Sequence, residues 1–262
     1  MKVLMIGDVI SEGGRKAVAA FVRPLKEERG LDLVTANVEN LAGGFGVSIK
    51  HLTELKDAGV DVFTSGNHIW DKKDVEQCWP AFPTLLRPAN YPQATPGRGE
   101  VLFTTKGGDV IGVVNVMGRS FMPVQVDDPF LCAKASVSRL KSQGAKTVLV
   151  DMHAETTSEK VALWRYLDGD ASVVVGTHTH IPTADSRISA KGTAYVSDLG
   201  ATGSYAGIIG MQAESVMKKF LQGLPGRHTP SEGELEFWAL YVELDTQGRA
   251  KQVEMIGKKL ES

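Results

Sequence analysis

Two histidines one residue apart, His178 and His180, stand in Gly176-Thr177-His178-Thr179-His180, directly after the β-branched run Val173-Val174-Val175. Neutral imidazole is the commonest side-chain metal ligand, and a pair at this spacing can reach one ion or two neighbouring ones. Taken alone, the pair is as readily explained by a polar loop whose imidazoles bond backbone carbonyls. Residues of ligating type recur at equivalent places, however. Asp8 follows Lys2–Ile6, Glu39 and Asn40 follow Leu31–Asn37, Asn67 and His68 follow Asp61–Thr64, and His153 follows Thr147–Val150. Each has a plain alternative: Asp8 as a helix cap, Glu39, Asn40 and Asn67 as turn residues, His153 as a hydrogen-bonded core histidine. A single shared site explains all of them together better than independent coincidences do. Carboxylate, amide and imidazole donors in mixture suit Mn, Fe or Zn better than Ca or Mg. Asp8, Glu39, Asn40, Asn67, His153, His178 and His180 are too many ligands for one tetrahedral ion and suit two. Two divalent ions set against Asp8 and Glu39 leave a formal charge of about +2, which attracts an anionic substrate and acidifies a shared water.

The segments that must position these residues are short apolar runs of strand character, and ligands of open α/β sheets lie outside the carboxyl ends of such strands. Between them the spacing predicts helices over Glu12–Arg29, with a kink or break at Pro24, and over Ser48–Ala58, stopped by Gly59. Further helices are expected over Pro129–Ser142, Ser158–Leu167 and about Gln212–Leu221. Glu100–Thr105 and Val110–Val116 read as a hairpin around Gly107-Gly108-Asp109. Thr193–Val196, Glu234–Leu244 and Ala250–Ile256 read as strands, the last two antiparallel in character. No linker divides the chain. The expected architecture is α/β, one domain over residues 1–262, a layered sandwich of two mixed β-sheets flanked by helices.

Composition narrows the function classes. With 42% hydrophobic and 23% charged residues the chain can bury a sizeable core, and a net charge of −2 gives no reason to expect a nucleic-acid or membrane surface. The apolar start Met1–Ile6 is cut by Gly7-Asp8, too early for a signal peptide, and no apolar run approaches a membrane span. Cys78 and Cys132 lie far apart and outside any CxxC pair, as in a reduced, cytoplasmic protein.

Gly7-Asp8, Gly66-Asn67-His68, His153 and Gly176-Thr177-His178-Thr179-His180, in this order, resemble the calcineurin-like metallophosphoesterases over most of the chain. Two positions depart from that superfamily's usual pattern: Ile10 stands where a ligating His is common, and Glu39-Asn40 replaces Gly-Asp. Both departures look like the bacterial YmdB-type phosphodiesterases. So do Gly43-Gly44-Phe45-Gly46, Gly66 to Asp71, Arg87 to Pro92, His153-Ala154-Glu155 and Asp198 to Gly203. The resemblance implies one metal held by Asp8, Asn40, His180 and a bridging Glu39, and a second held by Glu39, Asn67, His153 and His178. Iron or manganese comes ahead of zinc. It implies a bridging hydroxide that attacks phosphorus in line, His68 as the general acid, and cyclic nucleotides as substrates, 2',3'-cyclic ahead of 3',5'-cyclic. A homo-oligomer is implied as well. A regulatory protein that keeps the metal fold with slow turnover, and a phosphomonoesterase or nucleotidase on the same scaffold, are the alternatives.

Outside the ligand set the residues say less. Arg87 and Asn90 are candidates for substrate contact, although a loop holding five of the eleven prolines between Pro80 and Pro96 also needs polar residues to tie its backbone. Gly203 is a candidate for the substrate side. Gly43-Gly44-Phe45-Gly46 lacks the Lys-Ser/Thr of a P-loop and reads as a close backbone approach to the metal site. His228, beside Pro225-Gly226, reads as exposed, and Trp70, Trp79, Trp164 and Trp238 as core.

Overall fold

Apolar residues at alternate positions of a strand face opposite sides of its sheet, and the central strands here are apolar on both. Strand β1 (Lys2–Val9) sends Val3 and Met5 to one core and Leu4 and Ile6 to another. The computed structural model describes residues 1–226 and 228–261. In the first sheet β1 pairs in parallel with β2 (Leu33–Asn37), which pairs in parallel with β3 (Val62–Thr64). Its other edge is shared. Lys2 to Ile6 pair antiparallel with β11 (Leu235–Leu244), while Asp8 and Val9 pair in parallel with β10 (Ala201–Ser204). Strand β12 (Ala250–Lys259) closes that side, giving the order β12-β11-β10-β1-β2-β3.

The second sheet has the order β4-β5-β6-β7-β9-β8. Strands β5 (Val110–Met117), β6 (Thr147–His153), β7 (Val173–Thr177) and β9 (Ala194–Val196) are mutually parallel, and β4 (Glu100–Thr104) and β8 (Arg187–Ile188) are antiparallel edges. Val3, Met5, Leu33, Val62 and Leu240 of the first sheet meet Ile111, Val113, Leu149, Val173 and Val175 of the second in one core. Outside the first sheet lie α1 (Ser11–Arg29) and α2 (Ile49–Ala58), and outside the second lie α4 (Pro129–Ser142) and α5 (Thr157–Tyr166). The helix–sheet–sheet–helix sandwich expected from the sequence is therefore the architecture. No helix among the described residues is long and apolar enough to cross a membrane.

The differences from expectation are local. Helix α1 is continuous through Pro24, which faces solvent, so the carbonyl deprived of its helical partner is open to water. Helix α3 (Val75–Ala81) and strand β10 carry no periodic signal: α3 is seven residues with Pro80 inside, and β10 is Ala-Thr-Gly-Ser, held by its register against β1 and β11.

The parallel strands of both sheets end at the same rim, which is where the polar residues cluster. This depends on the outer cores keeping the sheets in register. Phe237 of β11 is fully buried with its ring centroid 5.7 Å from that of Phe21 on α1. Phe237→Ala is expected to lower the unfolding free energy by about 3–5 kcal/mol, read as a shifted midpoint in urea denaturation.

Candidate metal centre

His153 ends β6 and is wholly buried. Its Nδ1 lies 3.0 Å from Thr177 Oγ1, and that hydroxyl donates to Asp151 Oδ1 at 2.8 Å, so Thr177 accepts the Nδ1 proton. Asp151 also accepts from Thr64 and Asn37, which fixes the buried carboxylate behind the imidazole. The other ring nitrogen, Nε2, is 3.0 Å from Glu39 Oε1, 3.1 Å from Asn67 Oδ1 and 3.1 Å from His178 Nδ1. A ring nitrogen carries at most one proton, so most of these contacts set one lone pair against another. Asp8 Oδ1, Glu39 Oε1 and Asn40 Oδ1 are buried without a hydrogen-bond partner among the described residues. Buried acceptors left unpaired are costly, and a cation among them satisfies several at once. Donor atoms of Glu39, His153 and His178 all lie within 4.8 Å of one another. His180 Nε2 stands 3.9 Å from Asp8 Oδ1, close to the span of two bonds of ~2.0–2.2 Å to a shared ion.

The remaining ligand atoms are aimed by hydrogen bonds of the kind that orient metal ligands. His180 Nδ1 donates to Ile209 O at 3.0 Å, leaving Nε2 with its lone pair. Asn40 Nδ2 donates to Gly44 O at 3.0 Å, leaving Oδ1 free. The glycine-rich turn thus supports a ligand, its backbone held by Gly43 and Gly44 at φ 72° and 96°. Asp8 Oδ2 accepts from the backbone N–H of His178 at 3.1 Å, tying the two sheets together at the site.

Electrostatics follow from burial and crowding. Burial raises the Asp8 carboxyl to about 6, with Asp198 and Glu39 adding and His180 and His153 opposing. Burial also works against the Glu39 anion, but His153 beside it brings that carboxyl down to about 2. Burial disfavours the His153 cation, yet Glu39, then Asp8 and Asp151, lift its imidazole to about 9. His178 is pushed down to about 3 by burial and then by His153. A second proton, on Nε2, therefore gives His153 its positive charge at neutral pH, and a metal taking Nε2 must displace it.

His68 lies beside this cluster, in the 3-10 turn Asn67–Trp70. Its backbone N–H donates to Glu39 Oε2 at 2.8 Å, and its Nδ1 is 2.7 Å from Asp71 Oδ2. A carboxylate accepts, so Nδ1 carries the proton and Nε2 is left available. With Phe45, whose ring meets it edge-on at 4.8 Å, His68 lines a cavity of about 310 Å³ together with Glu39, Asn40, His178 and His180.

All eight sequence-predicted residues of the metal and acid set thus come together. Arg87, Asn90 and Gly203 do not join them. Arg87 donates to the carbonyls of Pro88, Thr95 and Pro96, and Asn90 donates to those of Met117 and Asp127 while accepting from Met117 N–H. Both tie the proline-rich loop. Gly203 pairs with Glu236 and backs onto Ile10. His228, expected to be exposed, is half-buried on the cavity wall with Nδ1 lacking a partner among the described residues. No spacing signals that, because its loop is folded back by Gln212 N–H donating to Thr229 O. Sequence reasoning also missed the supports Asp151, Thr177 and Asp71. Asp151 shares a strand face with His153 at a spacing of two, and Asp71 sits three after His68, so both were findable by periodicity.

Residues 4–256 match the family described as YmdB-like protein. A Bacillus subtilis (strain 168) protein, the 2',3'-cyclic-nucleotide 2'-phosphodiesterase, is 42% identical over 257 residues, covering 98% of this chain and 96% of its own. The chain belongs to the YmdB-like family. Two solved structures agree with this. A hypothetical protein from Thermus thermophilus superposes with TM-score 0.92 at 40% identity, covering 99% of both chains. A novel phosphatase from Mycoplasma pneumoniae gives TM-score 0.92 at 32% identity, covering 99% of this chain and 93% of that one. The metallophosphoesterase resemblance read from the motifs is thus borne out, with divalent-metal use the property of the fold. In this YmdB-like chain Ile10 packs with Ala201, Met211 and Val216 and so forms apolar floor instead of a ligand.

Gly66 is set by close approach, since a Cβ there would lie 2.1–2.4 Å from atoms of the His153 ring. Gly66→Ala is expected to displace that ring, costing about 1–3 kcal/mol of stability. Thermal denaturation and metal content after purification check it, both falling relative to the wild type.

Proposed function

We propose that this chain is a dinuclear metal-dependent phosphodiesterase that opens 2',3'-cyclic nucleotides. The observation that carries this reading is the meeting of buried, proton-poor donors at the strand ends, with the His68–Asp71 pair beside them. Asp8, Asn40, His180 and Glu39 would hold one ion, and Glu39, Asn67, His153 and His178 the other. These nitrogen and oxygen donors accept iron, manganese or zinc, and the family resemblance puts iron or manganese first. When bound, such ions lower the pKa of water and neutralise charge on a phosphoryl group.

The chain's own residues do the rest. Asp71 accepts from His68 Nδ1 and so orients the ring, and Nε2, when protonated, delivers its proton to the departing ribose oxygen. Glu39 fixes the His68 backbone through Oε2, which couples the acid's position to the metal cluster. Phe45, Ile209 and Met211 give the cavity an apolar side on which a nucleobase can rest. The cyclic-nucleotide assignment follows the activity named for the Bacillus subtilis relative, 42% identical. We extend the reading to a single catalytic domain, supported by the core shared between the sheets, and to a cytoplasmic homo-oligomer with both cysteines reduced.

His68→Ala is expected to lower kcat on 2',3'-cAMP on the order of 10²–10⁴-fold while the metal content stays at the wild-type level. Turnover at the wild-type rate would remove His68 from the acid role. Treatment with EDTA is expected to abolish hydrolysis, and re-addition of Mn²⁺ or Fe²⁺ to restore it. Activity that persists in metal-stripped protein would overturn the assignment as a metalloenzyme.

A further inference from the structure

Lysine is almost never fully buried unless paired. Lys160, on α5, is 1% exposed, and its ammonium donates to Asp198 Oδ2 at 2.8 Å. Asp198 is equally buried. The same carboxylate oxygen accepts from the Thr179 backbone N–H at 3.1 Å and from the Thr179 hydroxyl at 2.8 Å, while Oδ1 accepts from Gly200 N–H at 2.8 Å. Thr179 is the residue between His178 and His180. Those two histidines have φ of +101° and +66°, in the left-handed region that side chains with a Cβ rarely adopt. Such a conformation persists only where its surroundings impose it.

The imposing groups are close at hand. The segment after Asp198 runs alongside the loop, with Leu199 N–H donating to Gly176 O at 2.9 Å and Ala201 N–H donating to His180 O at 3.0 Å. Gly176 gives the Lys160 stem its passage, because a Cβ there would lie 2.6 Å from Lys160 Cδ and 1.8 Å from Ser197 O. The glycine of Gly-Thr-His-Thr-His is thus required first by the Ser197 carbonyl and then by the stem of the lysine that braces the motif from behind.

We propose that Lys160 and Asp198 are a positioning pair: a buried ion pair that pins Thr179 and so presents His178 and His180 to the metals. Neither residue lines the cavity or touches substrate. The inference rests on the metal-site reading, and it assigns the pair to site geometry instead of general stability.

The test is Mn²⁺ titration of the metal-stripped full-length protein by calorimetry, with thermal denaturation run beside it. Lys160→Met is expected to weaken Mn²⁺ binding about 10–100-fold, the effect typical of groups that orient metal ligands. Thr179→Val, which removes only the hydroxyl, is expected to weaken it on the order of tenfold with a melting temperature near the wild type. Leu163→Ala, on the same helix and buried among apolar residues, is expected to lower the melting temperature and leave Mn²⁺ affinity unchanged. Wild-type affinity in Lys160→Met overturns the proposal, as does a loss in Leu163→Ala that matches it. If Lys160→Met does not fold, undiminished affinity in Thr179→Val overturns it instead. A wild-type chain that takes up no Mn²⁺ would sink the metal site itself, an outcome distinct from these.

Discussion

Buried acceptors outnumber the protons available to satisfy them at the rim where the strand ends of the two sheets come together. Glu39, Asn67 and His178 crowd one imidazole nitrogen of His153, and Asp8 and Asn40 add oxygens with nothing to bond. Away from water such an arrangement holds only with positive charge inside it. A proton on His153 is the minimum that meets this need, and divalent cations meet it more fully. Much of the surrounding architecture serves to keep these groups from relaxing away from each other: the Asp151–Thr177 relay, the Gly44 carbonyl on Asn40, the Ile209 carbonyl on His180 and the Asp198 carboxylate on Thr179.

The fold and the strand-end cluster were legible in the sequence for the same reason. Each buried strand is a short, mostly apolar run that ends where the polarity changes, so Asp8, Glu39, Asn67, His153 and His178 mark both the strand ends and the candidate site. The groups that orient them were less legible. Thr177 and Lys160 carry no local mark of their role, because contacts across 26 and 38 residues leave no local pattern. Arg87 and Asn90 show the opposite error. Charge and amide in a loop suggest a ligand, but Arg87 donates to the loop's own carbonyls, and Asn90 ties the loop to the Met117 and Asp127 carbonyls outside it.

Glycine carries two distinct duties around the centre. At Gly43 and Gly44 the backbone takes positive φ, which bends a carbonyl back onto Asn40. At Gly66 and Gly176 the requirement is absence of volume, for the His153 ring in one case and for the Lys160 stem and the Ser197 carbonyl in the other. Replacement by alanine is therefore a backbone problem at the first pair and a steric problem at the second. The two kinds of motif glycine look identical in a sequence.

Strand β1 sits in the interior of its sheet, and along Lys2–Ile6 its neighbour on one side is β11, more than two hundred residues later in the chain. During synthesis β1 emerges long before β11 and must wait for it with one edge uncovered. His178 and Asp8, which meet at the centre, are 170 residues apart. Contacts of such long range fold slowly and expose unpaired strand edges in the meantime. On the metal-site reading, ion binding would therefore be a closing event in folding. Until β11 has emerged and the N-terminal strand is enclosed, the ligands are a scattered set with no common address for an ion.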